Sequence, residues 1–163
     1  MATFTVDTKA LYKIQDKFKQ TAELYKAYAI QELDKSVKAM EMEATSRAGN
    51  LPRIKSKSKK PYERTGNLSR SVSSTRYQNG YASFSMGNKT VNYAPYVEFG
   101  TGKGGFGIPK YKFSLKKPMN SFASQFRGKQ LKNYNMPNRP FFFKTFDEKY
   151  ATLLKTLKSY KVR

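Results

Sequence analysis

Apolar residues in the first third of the chain recur at steps of three and four positions, which is the spacing of one face of an α-helix. The pattern predicts a single helix over residues 8–45, with Asp7 or Thr8 capping its start. At 1.5 Å per residue this helix would be about 55 Å long, more than a domain of 163 residues can cover by itself. We expect part of the stripe to pack on the domain's own sheet and the rest on another subunit; a helix broken near residues 28–31 is the alternative. The stripe consists of Leu11, Ile14, Phe18, Ala22, Tyr25, Ala29, Leu33, Val37, Met40 and Ala44.

The middle of the chain changes to the period of two that is typical of β-strands. Asn79 and Gly80 both tolerate the positive φ of a type I′ turn, so residues 69–78 and 81–86 are predicted to form a hairpin. A third strand is predicted over residues 91–99, which would complete an antiparallel meander. The long helix can cover one face of such a sheet.

The end of the chain returns to a helical pattern with a wide apolar face. Asn138 can cap this helix, and Pro140 is tolerated in its first turn. The predicted fold class is α+β: a long N-terminal helix and a shorter C-terminal helix packed on a small antiparallel sheet, with long basic loops. We predict a single domain over residues 1–163, made of a helix (8–45), a basic loop (46–63), antiparallel strands (64–99), a basic and aromatic loop region (100–139) and a helix (140–160).

Two stretches between these elements are rich in lysine and arginine. Residues 46–63 alternate serine with lysine and contain nothing that can build a core, so we predict a basic loop there. Residues 101–139 hold nine basic residues and no acid, with aromatic residues between them. Three interpretations stay open for this second stretch: a strand over 111–115 with a short helix over 121–126, a lid that orders on assembly, or a surface that stacks nucleic-acid bases on its rings.

The net charge of +21 is distributed unevenly along the chain. Residues 1–45 contain seven lysines and seven acids, so this segment is neutral. Residues 46–163 contain 25 lysines and arginines against four acids, which accounts for the whole excess. A charge of this size favours a polyanion or an acidic protein surface as partner.

Several kinds of chemistry are excluded by composition. The chain has no cysteine and no histidine, which removes thiolate metal sites, cysteine nucleophiles and histidine bases. Asp147 and Glu148 are the only adjacent acids beyond residue 45, and they diverge on a helix. We therefore predict no enzymatic activity, no cofactor and no metal. No apolar run approaches the roughly 18 residues that span a bilayer, and residues 1–7 do not resemble a signal peptide, so we expect no membrane partner and synthesis in a cytoplasm.

Residues 92–105 read NYAPYVEFGTGKGG, an aromatic segment with one acid and a glycine-rich end. Pro95 cannot donate to a sheet, so it places the predicted strand at an edge or bends it. Glu98 is the only acid between Glu63 and Asp147, in a region crowded with cations. We expect its carboxylate to pair with one of them.

The Tyr-Ala-x-Tyr-Val-Glu-Phe-Gly-Thr core of this segment resembles the signature of the phage tail-completion proteins, also called tail-to-head joining or neck proteins, of long-tailed bacteriophages. RTGNLSRSV at residues 64–72 resembles an upstream segment of that family, and NRPFFFKTF at residues 138–146 resembles the entry to its C-terminal helix. The three pieces occur in the family's order and span about half of the chain. The interval from Gly105 to Arg139 is longer than in the family, which leaves the role of that loop open.

The resemblance implies a structural protein of the virion, assembled in the host cytoplasm. Such a protein completes the tail and joins it to the head connector, within a ring at the neck through which DNA passes. Homo-oligomers are implied, with a hexameric ring expected, and the phage head-connector and tail proteins would be partners. Duplex DNA in the lumen would be contacted without sequence specificity, through phosphate.

The resemblance and the charge pattern together indicate two sets of candidate residues, one for a structural ion pair and one for contact with DNA or the connector. An ion pair of Glu98 with Arg64 or Arg139 would join the three resembling segments. The candidates for contact with DNA or the connector are Arg53, Lys55, Lys57, Lys59, Lys60, Lys103 and Lys110.

A nucleic-acid-binding module for RNA or single-stranded DNA is the alternative function. Basic residues interleaved with aromatic rings are typical of such modules. The long neutral helix is not explained by this alternative, and no RNA-recognition signature occurs in the sequence.

Overall fold

The computed structural model describes residues 8–51, 66–100 and 138–161, with side chains from residue 12 onward. These residues form a small α+β fold, as the sequence predicts. The elements in chain order are the helices α1 (Thr8–Gly49) and α2 (Asn67–Arg70), the strands β1 (Ser73–Gln78) and β2 (Tyr81–Ser85), and the helices α3 (Ala94–Phe99) and α4 (Phe143–Lys158).

The N-terminal helix α1 is continuous over 42 residues, so the alternative of a break near residues 28–31 is wrong. At 1.5 Å per residue its length is about 60 Å. The helix ends at Gly49, which is followed by a turn at Asn50. Its C-terminal half carries the buried side chains Val37, Met40, Ala44 and Ala48.

The two strands form an antiparallel hairpin, with Ser73 opposite Ser85 and Gln78 opposite Tyr81. Asn79 and Gly80 connect them at φ 53° and 91°, which confirms the predicted tight turn. Paired hydroxyls such as Ser73 and Ser85, 2.9 Å apart, make one face of the hairpin polar. The other face packs on α1.

The predicted strands differ from the structure in two places. Residues 69–72 do not begin the first strand, because Asn67–Arg70 form the short helix α2. The predicted third strand, 91–99, contains instead the helix α3. Pro95 lies in the first turn of α3, where its missing N–H costs no hydrogen bond. Within the described part of the chain the sheet therefore has two strands rather than three.

The core lies between the C-terminal half of α1, the hairpin and the start of α4. Phe142 stacks on Phe84 of the hairpin at a ring-centroid distance of 4.0 Å, and Phe143 stacks on Phe99 at 5.3 Å. Phe141 is fully buried. The buried cluster consists of Ala44, Ala48, Val72, Phe99, Phe141, Phe142 and Phe143.

Helices α1 and α4 run antiparallel. Arg47, near the end of α1, forms an ion pair with Glu148 in the second turn of α4. Tyr28 near the middle of α1 stacks on Tyr160, just past the end of α4, at 4.4 Å. The part of α1 before Tyr25 therefore extends beyond the end of α4. None of the helices in the described residues is long and apolar enough to cross a membrane.

Candidate functional site

The carboxylate of Glu98 lies at the junction between α3 and α4, where its residue is 1% exposed. Its Oε2 accepts hydrogen bonds from the backbone N–H groups of Phe141 at 2.8 Å and Phe142 at 3.0 Å. Its Oε1 accepts a third from the N–H of Phe143 at 3.1 Å. One side chain therefore satisfies three successive donors at the start of α4.

This arrangement has a clear electrostatic basis. The first N–H groups of a helix have no partner within the helix, and the N-terminal end of the helix dipole is positive. The N-cap residue Phe142 has no side chain that can accept these bonds, and no side-chain cap is formed. Glu98 supplies the missing acceptors from another element, and the three donors compensate the cost of burying its charge.

The same contact corrects the predicted start of the C-terminal helix. That helix begins at Phe143, and its start is capped by the carboxylate of Glu98 and not by Asn138. The backbone N–H of Arg139 also donates to the carbonyl oxygen of Val97 at 2.9 Å. Segment 138–146 is thus held against segment 92–100 both by main-chain and by side-chain hydrogen bonds.

The contacts that the structure shows for Glu98 are with backbone N–H groups of residues 141–143, which were not predicted from the sequence. Arg64 lies outside the described residues, and the ion pair with Arg139 stays a prediction. The sequence shows that Pro140 and three phenylalanines open the helix without an acceptor side chain among them, but it does not indicate which distant residue supplies the acceptor.

The candidates for contact with DNA or a connector stay predictions, because none of them lies within 8–51, 66–100 or 138–161. They are Arg53, Lys55, Lys57, Lys59, Lys60, Lys103 and Lys110.

A second feature is the N-terminal half of α1, residues 12–27, which we call the overhang. Almost all of its side chains are exposed. Ile14 is 50% exposed, Phe18 71% and Tyr25 42%. These three continue the apolar stripe that is buried farther along the same helix at Met40. Ile14 and Phe18 thus lie exposed on the part of α1 that extends past α4. That another subunit covers this part of the stripe stays a prediction.

A third feature is an open apolar depression of about 380 Å³, which we call the groove. Three elements line it: α1, β2 and α4. The side chains of Leu33, Val37 and Phe84 contribute to its walls. The full lining is Leu33, Val37, Met40, Ala82, Ser83, Phe84, Phe146, Tyr150 and Leu153.

Two polar contacts hold α1 against the hairpin. Glu41 accepts hydrogen bonds from Lys38 at 2.9 Å and from Ser74 at 2.7 Å. These two hydrogen bonds, of which the one from Lys38 has the larger effect, hold the pKa of Glu41 below its ordinary value. Asp34 accepts the backbone N–H of Tyr77. These contacts make the position of the hairpin on α1 well defined.

The described residues contain no group of three or more histidine, cysteine, aspartate or glutamate side chains that could hold a metal ion.

Comparisons with known proteins add no relative: no family model matches the chain, and neither a curated protein nor a solved structure does.

Proposed function

We propose that the chain is a structural virion protein of a tailed phage. It completes the tail and joins it to the head connector, as part of a homo-oligomeric ring at the neck through which DNA passes. The observation that carries the proposal is the overhang, in which Ile14 and Phe18 extend an apolar stripe into solvent.

An uncovered apolar stripe is costly for a protein that stays a monomer. Burying apolar surface is favourable by about 25 cal/mol per Å², and large contiguous apolar patches on soluble proteins mark interaction sites. The stripe of the overhang continues a stripe that already packs in the core. A surface with this pattern favours permanent contact with another protein, as a ring subunit requires.

The junction at Glu98 gives a physical reason for the resemblance to neck proteins. Two of the three resembling segments, 92–100 and 138–146, meet there through the bonds from Phe141, Phe142 and Phe143. A glutamate in one segment and a Pro-Phe helix start in the other are complementary parts of one contact. Their joint occurrence therefore supports a common fold and not a chance similarity of short motifs.

The charge distribution supports the passage of DNA. The excess of 21 positive charges lies entirely beyond residue 45, outside the overhang and its stripe. Lysine and arginine contacts to phosphate are independent of base sequence, which suits a lumen that DNA must traverse. An acidic surface on the connector would be attracted by the same charges.

The proposal is tested by measuring the mass of the purified protein by light scattering during size exclusion. The measurement is made at low and at moderate salt, with and without a short duplex DNA. We expect a closed oligomer whose mass at moderate salt does not depend on the duplex.

A monomer that changes mass only when an oligonucleotide is added would contradict the proposal. Together with an affinity that falls steeply with salt, that result would establish the alternative, a nucleic-acid-binding module for RNA or single-stranded DNA.

A further inference from the structure

We propose that the overhang of one copy binds in the groove of a second copy of this chain. The inference deepens the proposed function, on which it rests for the existence of an assembly, and it names the two surfaces that meet. The protruding side chains are Ile14 and Phe18. The receiving side chains come from α1, β2 and α4.

The two surfaces are alike in chemistry and opposite in shape. The overhang presents a branched aliphatic side chain, Ile14, and one helical turn farther an aromatic ring, Phe18, both at least 50% exposed. The groove is a concave apolar site, with Leu33, Val37 and Phe84 in its walls and room for aromatic side chains. Insertion of a ring into such a site removes apolar surface of both partners from water.

The overhang cannot reach the groove of its own chain. Phe18 and Leu33 lie on the same unbroken helix, fifteen residues apart, and α1 has no bend that could reverse its direction. Their separation along the axis is about 22 Å at 1.5 Å per residue. Since the stripe and one wall of the groove lie at separate places on the same unbroken helix, a second copy is the partner that can bring them together.

The charges along α1 favour the same pairing. Residues 12–27 contain four lysines and two acids, a net charge of +2. Residues 28–43, which form one wall of the groove, contain four acids and two lysines, a net charge of −2. Contact between two overhangs would bring like charges together, whereas contact of an overhang with the groove half of a neighbouring α1 brings opposite charges together.

Because stripe and groove differ, each copy offers one surface of each kind. When the overhang of each copy binds the groove of the next, the contact is heterologous. It forms a ring if the rotation that relates neighbouring copies returns to the first copy. Two copies can also exchange overhangs mutually. Both arrangements place Phe18 of one copy beside Ala82 of another, so one measurement tests both.

The experiment uses the absence of cysteine from the chain. The variants F18C, on the exposed stripe, and A82C, in the groove, are made separately, and each carries one thiol. The full-length proteins are mixed at equal concentration and oxidised, and the cross-linked products are identified by mass spectrometry. The variant M42C, with a parent side chain 66% exposed outside the stripe and the groove lining, replaces A82C in the control mixture.

We expect the mixture of F18C with A82C to give a cross-linked pair of chains in at least tenfold excess over the mixture of F18C with M42C. Cross-linking of F18C only to itself would overturn the inference and show that overhangs meet each other. Protection of the A82C thiol from a small reagent in a protein that is monomeric would also overturn it, since the chain's own residues would then occupy the groove.

The outcome for the proposed function is separate. A closed oligomer without the cross-link between F18C and A82C rejects the groove as the binding site and leaves the ring intact. A protein that is monomeric under all conditions, with a reactive A82C thiol, rejects both.

Discussion

The carboxylate oxygen Oε2 of Glu98 lies 2.8 Å from the backbone nitrogen of Phe141, at the start of a helix that is 43 residues farther along the chain. This contact makes the start of α4 depend on the position of α3. The rings that follow, Phe142 and Phe143, enter the core directly from the capped turn. Glu98 therefore determines where three core side chains lie, although it is itself charged.

Replacement of Glu98 by glutamine should destabilise the fold. The variant E98Q keeps one acceptor oxygen but loses the charge, and its amide group would face backbone donors. Hydrogen bonds to charged groups contribute about 1.5–3 kcal/mol, and buried donors left without a partner cost a similar amount. We expect a loss of about 2–3 kcal/mol in the free energy of unfolding, measured by denaturant titration.

The matched control is E23Q, which removes the same charge from an exposed position on the overhang. Exposed substitutions of this kind change stability by about 0.5 kcal/mol or less. An E98Q protein as stable as E23Q would show that the three hydrogen bonds do not stabilise the start of α4.

Replacement of Phe18 by serine should weaken self-association and leave the single chain stable. The parent side chain is 71% exposed, so little packing is lost within one copy. Truncation of a buried aromatic anchor in an interface costs about 2 kcal/mol or more, which corresponds to at least about 30-fold weaker association. Sedimentation velocity over a range of concentrations measures the association, and thermal unfolding measures the stability.

The variant M42S is the control, because Met42 is 66% exposed on the same helix but does not line the groove. If F18S self-associates as strongly as M42S, the overhang does not take part in self-association.

The two long helices were predictable from sequence because their stripes are continuous. The start of α4 was not predictable. Asn138 is a possible N-cap close in sequence, whereas the carboxylate that caps the helix belongs to Glu98, far away in the chain. The carboxylate satisfies three donors, whereas a side-chain cap satisfies one or two. Contacts across such a sequence separation leave no periodic signal.

The segment 94–99 was predicted as a strand because valine, tyrosine and phenylalanine favour pleated structure. It is a helix, with Pro95 in its first turn and Gly100 at φ 75° directly after its end. Those two residues are the local signals that argue for a short helix. The overhang could be predicted from the length of the stripe alone, but the groove could not, since it needs three elements in their folded positions.

Acid should remove the stabilisation that Glu41 provides. The hydrogen bond from Lys38, and then that from Ser74, lowers the pKa of Glu41 in the folded state. The stability from these bonds is therefore full above the ordinary carboxyl pKa of 4.5 and is lost as the pH falls through the lower folded value. We expect wild type to exceed E41Q by about 0.5–1 kcal/mol at pH 7, and the difference to disappear in acid.

Melting temperatures of wild type, E41Q and S74A measured between pH 7 and pH 3 test this. S74A removes one of the two bonds, so its difference from wild type should be smaller and follow the same pH dependence. A difference between wild type and E41Q that stays constant down to the lowest pH would mean that the charge of Glu41 does not contribute.

The hairpin turn allows a test in which two glycines should respond in opposite directions. Gly80 has a φ of 91°, which a residue with a Cβ atom adopts only with strain, although open space surrounds the position. The variant G80A should therefore lose about 1 kcal/mol of stability.

Gly49 is the last residue of α1, its φ is not in the positive region, and a Cβ there would meet nothing within 4 Å. The variant G49A should be neutral or gain up to about 0.5 kcal/mol, because alanine favours the helix. Denaturant titration of both variants measures the two changes. Equal losses would show that crowding or assembly, and not backbone conformation, determines the response at these positions.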